Sequence, residues 1–365
     1  MKVAIMGAGL SGLACALTLE KHGIMPDIYE TGSQVGDRFV YAEIFFGITA
    51  RPARDCVTYL ANELGIYLNP VYMIRTMSIH GPEETAVMEG SLGHSNIRGR
   101  HEKALEKHLQ QQLQSPIRFR SQATYEELLE DYTHVVVATG ETTIARRLKN
   151  YDLAMTVSMK GCTVSGSFDL NRVYTWLNDA YCPKGYGYLI PLSEKEASVV
   201  IAYPDYPLNQ NMDIHSLWDK FFPRVCSDLQ QVLTVTDGFE INHYPIGISR
   251  ESRIGNTFFV GNNFGSIMPF LGFGQFSSLA TGVYAAWDMC GLGDYGKLTR
   301  PLRKSYDNSL ILRKAMEQIG NDQLDSMVKW LDTPVGHKLF NMKQVDLLRA
   351  VSYLLRPWVG IKSLV

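Results

Sequence analysis

Residues 2–23, KVAIMGAGLSGLACALTLEKHG, decide the fold of this chain. Residues 2–6 are mostly apolar or β-branched and predict a buried strand, which glycines at positions 7, 9 and 12 follow at once. Residues 13–22 are helix formers, and Gly23 comes directly after them, where helices often end on a glycine. The order strand, glycine-rich turn and helix is typical of a dinucleotide-binding unit built on a parallel sheet.

Each glycine of this unit has its own physical role in such a site. Gly7 permits the tight turn, Gly9 lets the backbone approach a pyrophosphate, and Gly12 lets the helix pack closely on the strand. The helix N-terminus faces the phosphate charge. A second predicted strand, residues 26–30, ends at Glu30, eighteen residues beyond Gly12, where a carboxylate accepts hydrogen bonds from ribose hydroxyls. This pattern predicts a bound dinucleotide but does not distinguish FAD from NAD.

A second strand, glycine-rich loop and helix N-terminus occur late in the chain. Here the sequence resembles the FAD-dependent oxidoreductases of the p-hydroxybenzoate hydroxylase structural class, whose late strand ends in Val-Gly-Asp-Ala-Ala, followed by a Pro and a Gly-x-Gly that opens a helix. Gly261, Pro269, Gly272 and Gly274 match that pattern, and Asn262 replaces the usual Asp. The resemblance implies that this loop holds the ribityl chain and the pyrimidine edge of the flavin. An asparagine can still hydrogen-bond a ribityl hydroxyl but brings no charge.

Two further segments match the same class. Residues 133–140 form a buried strand pattern that ends in Ala-Thr-Gly, where the class crosses its sheet near the cofactor. Residues 97–105 resemble an Arg-x-x-Phe-Asp-x-x-Leu helix start, in which the arginine, here Arg98, contacts the flavin dinucleotide. The resemblance thus implies a set of cofactor-binding residues: Gly7, Gly9, Leu10, Ser11, Gly12, Glu30, Arg38, Arg98, Thr139, Gly140, Gly261, Asn262, Pro269, Gly272, Phe273 and Gly274.

A predicted β-hairpin resembles that of one family within this structural class. Residues 185–191, GYGYLIP, precede a polar turn and an alternating run at 197–203. The first run looks like the Gly-Tyr-x-Trp-x-Phe-Pro signature of geranylgeranyl reductase-like flavoproteins, in which the hairpin lies in the substrate domain beside the flavin. The resemblance implies substrate-side residues, and the alternative is an aromatic hairpin that only packs a core. The substrate-side set is Tyr41, Tyr186, Tyr188 and Pro191.

Two departures separate the chain from named members of the class. Residues 36–46 lack the Cys-Gly pair that archaeal and plant geranylgeranyl reductases usually carry after the second strand. Thr139-Gly140 replaces the Asp-Gly motif that couples flavin and NADPH contacts in the aromatic hydroxylases. The first departure lowers the support for a prenyl reductase, and the second lowers that for a hydroxylase.

Composition excludes several other classes. The 365 residues are 45% hydrophobic and 20% charged, values of a folded globular protein, and no stretch approaches eighteen consecutive apolar residues. A formal charge of −2 gives no support to a nucleic-acid partner. The six cysteines are scattered without a Cys-x-x-Cys pair, so no metal site is expected and a reducing compartment fits. With a strand pattern from residue 2 there is no signal-peptide pattern, and we expect a cytoplasmic protein.

The last seventy residues differ in charge from the rest. Residues 297–365 carry twelve Lys and Arg against six Asp and Glu, and helices are predicted over 309–319, 322–331 and 343–355. Residues 345–362 mix Leu and Trp with basic side chains, which suits an interfacial helix on anionic lipid. The alternative is a C-terminal helix packed on the body with its Lys and Arg in solvent. Peripheral membrane contact is therefore one of two expectations for this region.

The expected fold is α/β: a FAD-binding Rossmann-like domain with a doubly wound parallel sheet, an inserted antiparallel substrate domain and a helical C-terminal part. The expected boundaries are 1–75, 95–155 and 245–295 for the FAD domain, 76–94 and 156–244 for the substrate domain, and 296–365 for the helical region. The resemblance implies a FAD-dependent reductase that delivers hydride from reduced flavin to a C=C bond of an apolar, isoprenoid or lipid-like substrate. NAD(P)H that binds transiently, or a protein electron donor, would reduce the flavin. The alternatives are a flavin monooxygenase or oxidase of the same fold, and a non-catalytic FAD-binding partner protein.

Overall fold

A parallel sheet at the N-terminal side organises the chain. The structure is a computed structural model that describes residues 1–47, 55–209, 212–341 and 346–359, apart from the side chains of residues 347 and 357–359. Every residue of the first strand is buried, because the sheet is covered on both faces. The described strands of this sheet run in the order β13-β14-β7-β1-β2-β6, namely Arg253–Ile254, Thr257–Phe259, His134–Val137, Val3–Met6, Asp27–Tyr29 and Ile117–Arg118.

A second, mostly antiparallel sheet stands beside it. Its one described parallel pair is β4 with β9, whereas the other neighbours pair antiparallel. The strands run in the order β12-β8-β11-β10-β9-β4-β5-β3, namely Thr234–Ser249, Tyr151–Ser165, Glu196–Pro204, Tyr186–Pro191, Arg172–Trp176, Tyr72–His80, Thr85–Arg98 and Tyr41–Phe46.

Helices cover both sheets and form the C-terminal part. In chain order, the described helices are α1 (Leu10–Lys21), α2 (Cys56–Asn62), α3 (Leu105–Gln110), α4 (Tyr125–Asp131), α5 (Thr143–Arg147), α6 (Ile214–Leu229), α7 (Gln275–Met289), α8 (Tyr295–Glu317), α9 (Asn321–Leu331), α10 (Pro334–Phe340) and α11 (Leu347–Val359). Among these residues, no helix has both the length and the apolar character needed to cross a bilayer.

The main core lies between the parallel sheet and the helix pair α1 and α7. Ile5, Leu13 and Val136 are completely buried there, together with Leu279. The two helices approach so closely that a Cβ atom at Gly282 would lie 2.2 Å from the carbonyl oxygen of Ser11. A larger residue than glycine would therefore force α7 away from α1, and α7 would no longer seal this face of the sheet.

A separate core lies under the second sheet, where α6 packs against β9, β10 and β11. The ring of Phe221 packs edge-on against Trp176, with ring centroids 5.5 Å apart. A Cβ atom at Gly187 would lie 2.4 Å from that phenyl ring, so a glycine at this position leaves the space that the ring occupies against the sheet. The two sheets, each with hydrophobic core packed against it, fit the prediction of a cofactor-type sheet plus a second, antiparallel one.

The predicted fold class is confirmed, and the local elements follow the predicted order. The first strand and helix, the hairpin β10–β11 and helix α7 lie where the sequence placed them. Several strands of the second sheet extend into the ranges expected for the FAD domain: β3 and the first part of β4 fall within 1–75, the end of β5 and the start of β8 within 95–155, and the end of β12 within 245–295. For β3, the reason is that it pairs along its whole length with β5, from Tyr41 opposite Arg98 to Phe46 opposite Gly93.

Two helix predictions need correction. The helix expected to start at Arg98 begins only at Leu105, because residue 98 still pairs with Tyr41 as the last residue of β5. In the tail, the expected helix at 309–319 is the end of the longer α8, and α10 was not predicted. The expected helix at 343–355 lies partly outside the described residues, and the described part is helical from Leu347.

Candidate functional site

The glycine turn after β1 separates glycines that the fold needs from one that it does not. Gly7 has φ +105°, and a Cβ atom there would lie 2.4 Å from the carbonyl oxygen of Ala138. A Cβ atom at Gly12 would lie 2.1 Å from the carbonyl oxygen of Gly7. A Cβ atom at Gly9 would have no atom within 4 Å. The space beside Gly9 is therefore free for a ligand, while the other two glycines serve the chain's own packing.

The same turn presents an N-terminus that can bind an anion. Gly9 is the N-cap of α1, it makes no side-chain cap, and the first turn of the helix has no acidic residue. The backbone N–H groups of Leu10 and Ser11 therefore lie at the positive end of the helix dipole, beside the open space at Gly9. A phosphate group fits these donors, as predicted from the sequence pattern.

Glu30 is brought to this turn from the end of β2. Its Oε2 accepts a hydrogen bond from the backbone N–H of Ala8 at 2.8 Å, and its Oε1 accepts one from Gly32 at 2.7 Å. These two bonds fix the carboxylate beside the glycine turn. The lone pairs that remain can accept hydrogen bonds from two vicinal hydroxyls, which is the role that the spacing predicts.

The ends of β7 and β14 meet in a hydrogen-bonded group. Asn262 donates through Nδ2 to the carbonyl oxygen of Gly140, at 3.2 Å, and to the hydroxyl of Tyr244. Tyr244 donates to the same carbonyl at 2.9 Å, and Asn263 donates to the Thr139 hydroxyl at 3.1 Å. The Oδ1 atom of Asn262 accepts no hydrogen bond from any residue that the structure describes. It is thus an acceptor for a ligand hydroxyl, in line with the predicted ribityl contact.

A second glycine-capped helix begins near this group. Gly261 donates from its N–H to the Thr281 hydroxyl at 3.0 Å, which ties the start of the loop to α7. Gly272 has φ +71°, a backbone conformation that favours glycine, and Gly274 is the N-cap of α7 without a side-chain cap. Pro269 lies in the same turn region. The N-terminus of α7 therefore offers a second set of free amide donors.

The predicted substrate-side hairpin reaches this loop through one tyrosine. The Tyr186 hydroxyl donates to the carbonyl oxygen of Leu271 at 2.5 Å, and the rings of Tyr186 and Tyr188 lie 6.0 Å apart. Burial raises the pKa of both tyrosines, so both stay neutral donors at physiological pH. Pro191, by contrast, is the last residue of β10, about 16 Å along the strand from Tyr186. Its neighbours Ile190 and Leu192 share a core cluster with Phe273, and the place of Pro191 on the substrate side stays a prediction.

Arg98 forms ion pairs with two carboxylates of the chain itself. Its Nη1 lies 2.5 Å from Oε2 of Glu43, and its Nε lies 2.7 Å from Oε1 of Glu106. Only a tenth of its side chain is exposed, so two carboxylates already neutralise the guanidinium. The direct contact of Arg98 with a dinucleotide stays a prediction. Sequence reasoning missed Glu43, although a single acid inside the apolar strand YAEIFF is an available signal.

Arg38, in contrast, is exposed and lies at the site. A Cβ atom at Gly140 would lie 3.9 Å from Nη2 of Arg38. The next residue, Phe39, stacks on Phe239 of β12 with ring centroids 3.9 Å apart and an angle of 11° between the rings. This stack ties the loop that carries Arg38 to the second sheet. The Arg38 guanidinium, which forms no ion pair with a described residue, thus stands next to the Thr139–Gly140 turn.

Two clefts flank the loop before α7. Both are bordered by Met268 and Phe273, and Phe273 packs against Phe46 with ring centroids 5.8 Å apart. The larger, of about 480 Å³, lies between the loop, α8 and the start of α11, and the smaller, of about 290 Å³, lies between the loop, β3 and α2. The larger cleft has an apolar wall of Met268, Phe270, Leu271, Phe273, Leu312 and Leu348.

Metal ligands are not grouped in the part of the chain that the structure describes. Across residues 1–47, 55–209, 212–341 and 346–359, no three His, Cys, Asp or Glu side chains are placed to share a metal ion. The six cysteines include none in a disulfide, and burial raises the pKa of Cys15 and of Cys182. Thiolate chemistry therefore has no support at these two positions.

Comparison with known proteins gives matches in structure only. No protein-family model matches the chain, and no curated protein sequence does. A geranylgeranyl bacteriochlorophyll reductase-like protein from Thermoplasma acidophilum has a TM-score of 0.69 and 16% identity, and the match covers 97% of this chain and 98% of that one. A flavin-dependent brominase has a TM-score of 0.65 and 13% identity, with 98% of both chains covered.

An oxygenase of 2-methyl-3-hydroxypyridine-5-carboxylic acid is also similar, with a TM-score of 0.58, 14% identity, and coverage of 94% of this chain and 96% of that one. At sequence identities this low, structural similarity shows a common fold but not a common activity. The glycine turn, the late glycine loop and the two sheets are nevertheless arranged as the resemblance required. The chain therefore has the fold of the FAD-dependent flavoproteins of the p-hydroxybenzoate hydroxylase structural class.

Proposed function

We propose that the protein is a FAD-dependent oxidoreductase. The observation that carries this proposal is a pair of helices with glycine N-caps, α1 and α7, that follow the parallel strands β1 and β14 and pack against each other at Ser11 and Gly282. Ligands of open α/β sheets bind at this edge. Glu30 and Asn262 supply acceptors for hydroxyl groups there, and Gly9 leaves room for a pyrophosphate.

Each part of FAD has matching residues in this arrangement. The α1 N-terminus and Arg38 fit the pyrophosphate, Glu30 fits the adenosine ribose, and Asn262 with the α7 N-terminus fits the ribityl chain and the ring edge. When bound, FAD supplies two-electron transfer to or from an organic substrate. The residues of this chain orient the cofactor and exclude water from the substrate side.

We further propose that the reaction is reduction of a C=C bond in an apolar, isoprenoid or lipid-like substrate. The support is the apolar wall of the larger cleft, at Phe270, Leu271 and Leu312, and its contact through Leu271 with Tyr186. A chain-like substrate gains about 25 cal/mol for each Å² of apolar surface that such a wall covers. The similar reductase-like protein is consistent with this substrate class.

A monooxygenase, halogenase or oxidase reaction is the second candidate. It is favoured by the other similar structures, a brominase and an oxygenase, which use the same fold. A non-catalytic FAD-binding partner protein is the third. The reaction with oxygen separates the first two: a reductase turns over anaerobically, whereas a monooxygenase couples oxygen consumption to substrate oxidation.

The decisive experiment is the visible spectrum of the purified protein and the identity of any small molecule that heat releases. Released FAD supports the proposal, and a colourless protein that takes up no added FAD overturns it. The holoprotein is next mixed anaerobically with NADH and NADPH, followed by geranylgeraniol and other polyprenyl alcohols. Flavin that no donor reduces would favour the non-catalytic alternative.

We also propose that α11 contacts membrane lipid, as a peripheral attachment of a cytoplasmic protein. Leu354 is 74% exposed and Tyr353 is 49% exposed, and Arg349 and Arg356 lie over the Tyr353 ring at 5.7 and 4.3 Å. Exposed apolar side chains beside cations suit an anionic bilayer surface. Co-sedimentation with vesicles that contain 30% phosphatidylserine tests this, and equal sedimentation of wild type and Leu354→Asp would contradict it.

A further inference from the structure

We propose that Tyr244 of β12 is a positioning residue for the cofactor: its hydroxyl holds the side-chain amide of Asn262 so that Oδ1, and not the NH2 group, faces a ribityl hydroxyl. The inference rests on the proposed FAD binding and deepens it, because it adds a residue of the second sheet to the cofactor site. Tyr244 lies outside both glycine motifs, and nothing in the sequence pattern marks it as functional.

Asn262 uses both of its amide hydrogens within the chain. Its Nδ2 donates to the carbonyl oxygen of Gly140 at 3.2 Å and to the hydroxyl of Tyr244 at 2.5 Å. An amide nitrogen carries two hydrogens, so Nδ2 has none left for a ligand. Oδ1 accepts no hydrogen bond from any residue in the described ranges, and the residue is only half-buried. A ligand therefore meets an acceptor at this position.

The carbonyl of Gly140 decides which way the amide of Asn262 points. A carbonyl oxygen can only accept hydrogen bonds, so it would repel Oδ1 if the amide were turned over. The hydroxyl of Tyr244 donates to this same carbonyl at 2.9 Å. Because its one hydrogen is used there, the hydroxyl presents a lone pair to Nδ2 of Asn262. Tyr244 thus supplies the second acceptor for the amide hydrogens and closes a group of three hydrogen bonds.

Tyr244 keeps its hydrogen at physiological pH. Burial raises the pKa of Tyr244, although the charge of Arg38 and the hydrogen bond with Asn262 act in the opposite direction. The negative charges of Glu141 and Glu43 add to the rise. A phenolate could not donate to the backbone carbonyl, so the neutral hydroxyl is the form that the arrangement needs.

A β-bulge in β12 sets the face on which Tyr244 lies. From Ile241 to Tyr244 the strand β12 advances by three residues, while its partner β8 advances by two. His243, within this step, has φ +56°, a left-handed conformation that residues other than glycine seldom adopt. Because side chains alternate along a strand, one extra residue reverses the face of the side chain that follows. The face obtained in this way is the one from which Tyr244 reaches Gly140 and Asn262.

An asparagine at position 262 depends on this support more than an aspartate would. An amide that is fixed before the ligand arrives binds a hydroxyl more tightly than a rotating one, because no entropy of ordering is lost on binding. Both oxygens of a carboxylate accept hydrogen bonds, so either can face the ligand. The matched family pattern has Asp at this position, whereas this chain combines Asn262 with Tyr244. We therefore expect the effect of Tyr244 on FAD binding to depend on residue 262.

The test measures the dissociation constant of FAD for the full chain, from the change in flavin fluorescence on binding. Tyr244→Phe removes the hydroxyl and keeps the ring, and we expect it to weaken FAD binding by about 10-fold, the size of one net hydrogen bond. In the Asn262→Asp and Asn262→Ala backgrounds, the same change should alter the constant by less than about 2-fold, because no amide is left to orient. If one double variant does not fold, the other still decides the question.

Tyr125→Phe is the matched control. Tyr125 is also a tyrosine with a hydrogen-bonded hydroxyl, which lies 2.8 Å from the Thr257 hydroxyl in the core. Thr257 is the first residue of β14, at the end remote from Asn262. Both Tyr125→Phe and Tyr244→Phe should lower the melting temperature of the apoprotein, and only Tyr244→Phe should change the FAD dissociation constant.

Three outcomes would overturn the inference and leave the FAD proposal intact. The first is unchanged FAD binding in Tyr244→Phe. The second is an equal weakening by Tyr244→Phe with Asn, Asp and Ala at position 262, since the tyrosine would then act through the fold alone. The third is an equal weakening in Tyr125→Phe. A wild type that binds no FAD would overturn the proposed function, and this inference with it.

Discussion

The two glycine-capped helix N-termini of the site are held in different ways. At α1, backbone atoms set the geometry: Gly7 and Gly12 each lie where a Cβ atom would come within 2.4 Å of a carbonyl oxygen. At α7, side chains from the second sheet do so, with Tyr186 bonded to Leu271 and Glu43 bonded to Gln275. Where backbone atoms pack this closely only glycine fits, so the sequence shows a recognisable glycine motif. Support by distant side chains requires no fixed spacing of residues, so the sequence shows no motif for it.

The largest effect is expected for Gly12→Val, which disrupts the close backbone packing at the N-terminus of α1. The new Cβ atom would lie 2.1 Å from the carbonyl oxygen of Gly7, and no flexible side chain can give way. We expect a loss of several kcal/mol, about 3 or more, and thus a largely unfolded protein. Urea unfolding followed by circular dichroism measures it, and a wild-type midpoint would contradict the backbone account of α1.

Gly9→Val is the matched change, because its Cβ atom would have no neighbour within 4 Å. The apoprotein should keep its wild-type melting temperature within about 3 °C, since surface changes away from packed atoms cost about 0.5 kcal/mol or less. FAD retention should be abolished, because the valine fills the space beside the pyrophosphate site. Normal flavin content in a folded Gly9→Val protein would contradict the site assignment.

Gly272→Val addresses the α7 end in the same way. Position 272 has φ +71°, which a β-branched residue adopts only with strain of about 1–3 kcal/mol. We expect loss of flavin retention together with a lower melting temperature, unlike Gly9→Val, because the loop itself must shift. Flavin content equal to that of the wild type would show that this loop does not hold the cofactor.

Tyr186→Phe removes a side-chain support of α7 without a change in backbone. The half-buried carbonyl of Leu271 would lose its donor, at a cost of about 1–2 kcal/mol in unfolding free energy. FAD should remain bound, and the effect should appear in urea unfolding and in the reaction with substrate. If Tyr186→Phe lost FAD completely, the hairpin would belong to the cofactor site and not to the substrate side.

Asn262→Asp is expected to have the smallest effect. It removes the amide donor to Gly140 and Tyr244 but keeps an acceptor for a ribityl hydroxyl, and the matched family pattern has Asp there. Flavin content should stay at the wild-type level, with a loss of about 1 kcal/mol in stability. The flavin content is measured as flavin released by heat. A colourless Asn262→Asp protein would show that the amide itself is required for flavin binding.

The sequence predicted the features that backbone geometry enforces. The strand at residues 2–6, the helix after Gly9 and the position of Glu30 all follow from glycine spacing and from the period of apolar residues. The hairpin β10–β11 followed from its alternation and polar turn. These elements are local, so a short window of sequence contains the forces that form them.

The parts that sequence did not predict depend on distant pairing. Arg98 was expected to face a dinucleotide, but it ends a strand that pairs with β3, and the carboxylates of Glu43 and Glu106 reach it first. Arg98 and Glu43 are fifty-five positions apart, and the sequence carries no spacing rule for such a pair. In the C-terminal region the helix start was also predicted wrongly, because α8 begins at Tyr295, well before the predicted start at residue 309.

The close contact of Gly282 with Ser11 has a consequence for biosynthesis. Strands β1, β2, β6 and β7 are complete once residues 1–137 have left the ribosome, but α7, which seals one face of their sheet, comes from residues 275–289. The nascent chain therefore exposes an apolar sheet face, and an unpaired edge at β7, while strands β8 to β12 of the second sheet are synthesised. Completion of the parallel sheet and of its helix cover must wait for residues 257–289, so we expect fragments that end before α7 to express poorly.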